Sequence, residues 1–222
     1  MGKGLFVTGT GTDVGKTYVT ALMVKKLHQA GYRAGYYKAA LSGAECIADS
    51  DAGYVKRVSG ILQEEDTMVS YLYRSPVSPH LAARWEKHPA EIAKVRKDYE
   101  SVKRQWDYVT VEGSGGIVCP IRWDEKQRIL LEDIVRELQL NAVLVTDAGL
   151  GSIHAAVTSA EYLKHHGISV KGLVLNRYLG DEMQKDNRNM MERLTELPVL
   201  ACVSPRDEEF PLDPERLASL YE

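Results

Sequence analysis

The chain has 222 residues, 44% of them hydrophobic and 27% charged, enough to build a full core of its own. Its 28 Lys and Arg against 31 Asp and Glu leave a net charge of -3, which offers no electrostatic reason for a nucleic-acid or anionic-membrane partner. The apolar runs are strand-length, Met1 to Gly4 lead straight into the first of them without a secretory apolar region, and Cys46, Cys119 and Cys202 show neither paired nor metal-ligand spacing. A soluble cytoplasmic protein with reduced thiols is the expectation.

Short β-rich runs alternate with amphipathic stretches, which predicts βαβ units: a single α/β domain over 1–222, with a mostly parallel central sheet and helices on both faces. The first predicted strand, Leu5 to Thr8, runs into Thr8-Gly9-Thr10-Gly11-Thr12-Asp13-Val14-Gly15-Lys16-Thr17 and a helix from Lys16 to Ala30 that Gly31 stops. Strand, glycine-rich loop and helix in this order form a phosphate-binding loop of the P-loop NTPase kind. Glycines let backbone N–H groups approach phosphate oxygens, the helix N-terminus favours negative charge, Lys16 reaches the β- and γ-phosphates, and the Thr17 hydroxyl binds Mg²⁺. The usual pattern has glycine where Thr10 stands; here it lies one earlier, at Gly9, so the loop is one residue longer. A dinucleotide fingerprint starting at Gly9 would need glycine at Val14, which excludes that alternative.

The next strand, Ala34 to Lys38, ends in an ammonium followed by Ala39-Ala40-Leu41-Ser42-Gly43. In a parallel sheet ligands bind at the carboxyl ends of strands, so Lys38 and Ser42 either stand beside the phosphate loop or are surface groups. Asp49-Ser50-Asp51-Ala52 opens a helix from Asp51 to Val58, for which N-capping is a sufficient explanation. A helix from Ala90 to Gln105 carries a solvated charged face, Lys94 to Arg104. The strand Tyr108 to Glu112 leads into Glu112-Gly113-Ser114-Gly115-Gly116, a carboxylate where P-loop enzymes keep an acidic Mg²⁺ partner. A helix from Leu131 to Leu138 and a strand from Ala142 to Thr146 precede Gly149-Leu150-Gly151-Ser152-Ile153. Those residues open a helix from Ile153 to His166, either as a plain helix start or with free amides suited to a carboxylate. The chain closes with a strand from Val170 to Asn176, a helix from Glu182 to Leu197, a strand from Val199 to Val203 and a helix from Pro214 to Tyr221.

Taken in order, the long-spaced phosphate loop, Lys38 with Ser42-Gly43, Ser50-Asp51-Ala52, Ser78-Pro79-His80, Val111 to Gly116, Leu150 to His154 and Asn176 resemble the dethiobiotin synthetase family over nearly the whole chain. The resemblance implies an ATP-dependent ligase of biotin synthesis that joins CO₂ to 7,8-diaminopelargonic acid through a carbamate and a carbamic-phosphoric anhydride, releasing dethiobiotin, ADP and phosphate. It implies catalytic roles for Thr12, Lys16 and Lys38, Mg²⁺ held by Thr17, Asp51 and Glu112, and nucleotide contacts from Asp13, Val14, Gly15, Lys16, Thr17 and Tyr18. Further nucleotide contacts are implied for Asp51, Glu112, Gly113, Ser114, Gly115, Asn176, Arg177, Pro205, Arg206 and Asp207. Asn176 is the adenine reader in this pattern, and Asn176-Arg177-Tyr178-Leu179 is not the N-K-x-D that reads guanine. Substrate contacts fall on Lys38, Ser42, Leu150, Gly151, Ser152 and Ile153, the last four across the interface of a homodimer with shared sites. Two positions depart from the usual pattern: Ala39 replaces a proline and His154 an asparagine.

Two other readings use the same loop. Amidating ligases of the cobyrinic-acid kind normally append a glutaminase domain, for which no residues are expected here. Switch ATPases of the septum-site and partitioning kind carry an extra lysine near the start of the loop, where this chain has Thr10 and Asp13.

Overall fold

Runs such as Leu5-Phe6-Val7 and Val143-Leu144-Val145 are apolar at every position, so a strand made from them must be covered on both faces. The computed structural model, which describes residues 2–221, shows how this is met. A seven-stranded parallel sheet contains β1 (Lys3–Gly9), β2 (Ala34–Ser42), β3 (Val69–Tyr73), β4 (Tyr108–Glu112), β7 (Ala142–Asp147), β8 (Val170–Asn176) and β9 (Val199–Cys202). Their order across the sheet is β3-β2-β4-β1-β7-β8-β9, and a separate antiparallel hairpin pairs β5 (Pro120–Trp123) with β6 (Arg128–Leu130).

Alternation along the strands sorts the core. Leu5, Val7 and Tyr36 pack with Leu22, Met23 and Leu27 of α1 (Lys16–Gln29), Val55 of α2 (Asp51–Ser59) and Leu217 of α8 (Pro214–Ala218). Phe6, Tyr37 and Val111 pack with Ala82 of α3 (Pro79–Trp85), Tyr99 of α4 (Ile92–Gln105) and Ile134 of α5 (Leu131–Glu137). A smaller cluster sets Ala156 and Ala160 of α6 (Ser152–His165) and Met191 of α7 (Glu182–Thr195) on Leu144, Leu173 and Leu175. Among the described residues no helix is long and apolar enough to cross a membrane.

Every predicted strand and helix is present, with ends moved by a few residues, as fraying and capping commonly allow. Five elements were not expected: β3, α3, the two strands of the β5–β6 hairpin and a single 3₁₀ turn at Glu65–Thr67. β2 also continues past Lys38 to Ser42, because buried Ala39, Ala40 and Leu41 extend the strand and the unforeseen β3 supplies its edge partner, with Lys38 opposite Val69. The register decides what meets at the carboxyl edge. Val7 lies beside Glu112 and Tyr37 beside Val111, so the phosphate loop, Lys38 and Glu112 emerge from three neighbouring strands.

Candidate active site

The turn after β1 is shaped by two left-handed residues, Asp13 at φ 61 and Gly15 at φ 88. Gly15 admits no side chain: a Cβ there would stand 2.0 Å from Asn176 Nδ2. Asn176, at the end of β8, donates from Nδ2 to the Val14 carbonyl at 2.9 Å and so braces the loop from the far strand. Arg177 braces it again, donating to the Asp13 carbonyl at 2.6 Å and to both Asp147 carboxylate oxygens at 2.9 and 3.2 Å. On the other side the Gly113–Gly116 turn presses on the loop, since a Cβ at Gly116 would meet Gly11 Cα at 3.3 Å. The Ser114 hydroxyl ties this turn to β2 by donating to the Ala40 carbonyl. Lys16 is buried and donates to the Gly11 carbonyl at 2.8 Å. Burial, together with repulsion from Lys38 and against the attraction of Glu112, holds its ammonium below the ordinary lysine value.

Lys38 forms the centre of a second cluster. Its Nζ lies 2.6 Å from Asp51 Oδ2 and 2.9 Å from Glu112 Oε1, and Thr17 Oγ1 donates to the same Glu112 oxygen at 2.8 Å. Burial alone would lower the Lys38 pKa, but Glu112 and Asp51 outweigh it and hold the ammonium protonated above the usual range. The reverse holds for Asp51, where Lys38 overcomes burial and keeps the carboxylate ionised. Ser50 caps α2, its Oγ accepting from the amides of Ala52 and Gly53, and this cap places Asp51 at the first helical position, over Lys38.

The loop and the cluster share one cleft of about 790 Å³, within the usual range for a small-molecule site. Of the residues expected to contact nucleotide or substrate, Thr12, Asp13, Gly15, Lys16, Thr17, Tyr18, Lys38, Ser42, Asp51, Glu112, Gly115 and Arg177 line it. Val14, Gly113, Ser114 and Asn176 do not line it; Asn176 and Val14 are joined by their hydrogen bond and Ser114 is tied to Ala40. The stretch 205–207 lies outside the lining, but the Tyr18 hydroxyl donates to the Asp207 carbonyl and holds it against α1. Leu150 to Ile153 also lie outside: Leu150 is 95% exposed, while Ser152 is buried with no hydrogen-bond partner for Oγ among the described residues.

A family model described as an AAA domain matches residues 3–210. An ATP-dependent dethiobiotin synthetase BioD of Brachyspira hyodysenteriae is 45% identical over 223 residues, covering 100% of both chains. The chain belongs to the ATP-dependent dethiobiotin synthetase family. A relative of the same name from Clostridium botulinum (strain Alaska E43 / Type E3) is 45% identical over 218 residues, 96% of each chain. The protein is thus an enzyme of the dethiobiotin synthetase type. Its fold is also that of the septum site-determining protein MinD of Pyrococcus horikoshii, solved with Mg-ADP, with a TM-score of 0.58 at 16% identity over 99% of this chain and 94% of that one. That likeness concerns the P-loop fold alone.

Sequence reasoning missed two buried residues behind the cleft of this synthetase. Tyr36 donates its hydroxyl to Glu112 Oε2 at 3.0 Å, and the Gln63 carboxamide bonds both backbone groups of Tyr36. Tyr36 carried a usable signal, since it shares the strand face of Lys38 two residues on. Gln63 carried none.

Proposed function

We propose that the protein closes the ureido ring of dethiobiotin, joining CO₂ to 7,8-diaminopelargonic acid at the expense of ATP in biotin synthesis. The observation that carries this reading is the buried Lys38 ammonium, held by Asp51 and Glu112 in the same cleft as Lys16 and the phosphate loop. Phosphoryl transfer to an anion calls for fixed positive charge and positioning more than for a strong protein base.

In this scheme one substrate amine takes up CO₂ as a carbamate. A carbamate oxygen attacks the γ-phosphorus, and the new P–O bond forms as the bond to ADP breaks. The second amine then attacks the carbonyl carbon of the anhydride and loses a proton, while phosphate departs with the electrons of the C–O bond. Lys16 and the loop amides from Thr12 to Thr17 hold the polyphosphate, Lys38 meets the carbamate and the transferring phosphoryl group, and the Ser42 hydroxyl orients the amines. Adenine is assigned to Asn176 through its Oδ1, since Nδ2 is held by the Val14 carbonyl, with Tyr18, Arg177, Pro205, Arg206 and Asp207 flanking the nucleotide.

Thr17, Asp51 and Glu112 bring hard oxygen donors into one cluster, Thr17 bonded to Glu112 and the two carboxylates bridged by Lys38, and this donor set suits Mg²⁺. When bound, Mg²⁺ neutralises charge on the phosphate oxygens. The free amides at the start of α6 suit the substrate's carboxylate tail. Because they lie outside the cleft that holds Lys38, we assign them to the site of the other subunit in a homodimer, with residues 1–222 as one domain in the cytoplasm, where ATP is found. The test is synthesis from ¹³C-bicarbonate: dethiobiotin heavier by the label supports the reading, and unchanged diamine in the presence of ATP and Mg²⁺ contradicts it.

A further inference from the structure

Glu112 is 2% exposed, and its two carboxylate oxygens have different surroundings. Oε1 accepts from Thr17 Oγ1 and from Lys38 Nζ, both of which line the cleft. Oε2 accepts from the Tyr36 hydroxyl at 3.0 Å, and Tyr36 is wholly buried in the core behind the cleft. Tyr36 and Lys38 stand two apart on β2, so both point from one face of the sheet toward Glu112 on the neighbouring strand.

The backbone of Tyr36 is itself fixed in an unusual way. β3 joins β2 only from Lys38 onward, which leaves Tyr36 without a strand partner on that edge. The Gln63 carboxamide takes the place of the missing strand: Tyr36 N donates to Gln63 Oε1 at 2.8 Å and Gln63 Nε2 donates to the Tyr36 carbonyl at 2.9 Å. Gln63 is 1% exposed and also donates to Thr67 Oγ1 at 3.1 Å, so its orientation is locked.

We propose that Tyr36 is a positioning residue: its hydroxyl, aimed by Gln63, holds Glu112 Oε2 and so presents Oε1 to the cation of the cleft. The inference rests on the reading of Glu112 as a Mg²⁺ ligand. A carboxylate with one oxygen occupied by a fixed donor keeps its plane and offers the other oxygen in one direction, and loss of such outer partners commonly weakens metal binding.

Tyr36→Phe removes the hydroxyl and keeps the ring in its packing. Mn²⁺ uptake by the ADP-bound protein is followed by electron paramagnetic resonance, and ADP affinity in EDTA by calorimetry. Mn²⁺ binding is expected to weaken by about 10- to 100-fold in the variant, while ADP affinity in EDTA stays within about twofold of wild type. In turnover, the Mg²⁺ needed for half-maximal rate rises by a similar factor and excess Mg²⁺ restores kcat. Equal Mn²⁺ affinity in wild type and Tyr36→Phe overturns the proposal alone. A wild-type protein that binds ADP but takes up no Mn²⁺ overturns the reading of Glu112 and the proposal with it. Parallel loss of ADP affinity in EDTA shows a general collapse of the cleft and also refutes a positioning role. A wild-type circular dichroism spectrum for the variant confirms that a folded protein is being compared.

Discussion

Replacing Lys38 by alanine removes the cation on which the proposed mechanism turns. Lys38 is 4% exposed and meets Asp51 and Glu112 at 2.6 and 2.9 Å, so the change strands two carboxylates. Breaking a buried ion pair typically costs about 3–5 kcal/mol. Here the Asp51 side chain is 48% exposed and Glu112 keeps the hydroxyls of Thr17 and Tyr36, which places the stability loss near the low end, about 3 kcal/mol. For a chain of this length that lowers the melting temperature by about 6–12 °C in EDTA. The catalytic loss is separate: a fixed donor facing developing charge contributes about 2–4 kcal/mol, or roughly 30- to 900-fold in turnover. ATP affinity by calorimetry is expected to change little, because Lys16, Thr17 and the loop amides remain. Steady-state phosphate release with the diamine and bicarbonate measures turnover. A Lys38→Ala enzyme with near-normal kcat would refute the role given to this lysine, whatever its melting temperature.

Gly15→Ala forces an L-residue to φ 88 and drives its Cβ to 2.0 Å from Asn176 Nδ2, so a loss of about 1–3 kcal/mol in unfolding free energy and a collapse of ATP binding are expected; normal ATP affinity would contradict the bracing of the loop by Asn176. Stability should depend on pH through the Lys38 pair in a defined way. Burial alone would raise Asp51 and lower Lys38, yet their attraction wins, leaving Asp51 below its ordinary 3.8 and Lys38 above its ordinary 10.5. The Asp51 contribution is therefore complete above pH 3.8 and fades as pH falls through the lowered value, while that of Lys38 is complete below pH 10.5 and fades as pH rises past the raised one. Urea midpoints of Lys38→Met against wild type check this, since the variant should lose less stability on acidification below 3.8; parallel curves would count against the pair. Shared sites predict complementation: inactive Lys38→Ala and Gly151→Asp proteins, mixed and reassorted, should regain about a quarter of wild-type activity, half the dimers being mixed with one intact site of two. No recovery from a reassorting dimer, or a fully active monomer in sedimentation, would remove the shared site.

The parts of the fold that were legible in the sequence are those where local pattern and tertiary environment agree. Leu5-Phe6-Val7 and Val143-Leu144-Val145 are buried on both sides, and continuous apolar runs between helices announce such strands. β3 was missed because Val69-Ser70-Tyr71-Leu72-Tyr73 is a short edge strand, only partly buried, whose place depends on pairing with β2. The β5–β6 hairpin is shorter still, and α3 is a two-turn helix opened by Pro79 among serines and prolines that read as a turn. Within the site, the phosphate loop announces itself because its chemistry is contiguous. The Lys38, Asp51 and Glu112 cluster could be named residue by residue but not assembled, since its contacts follow from the register of β2 on β4 and β4 on β1 and from the cap that places Asp51. Capping and ion pairing proved compatible at that helix start, as Ser50 performs the first and Asp51 the second. Gln63 lay beyond reach, because a carboxamide standing in for a missing strand leaves no periodic trace.

Phosphate release from Mg-ATP with bicarbonate, measured with and without 7,8-diaminopelargonic acid while dethiobiotin is followed by mass, shows whether the cleft couples ATP cleavage to ring closure. Release is expected to depend on the diamine, with one phosphate for each dethiobiotin formed. Hydrolysis indifferent to the diamine, or release without dethiobiotin, would contradict that coupling.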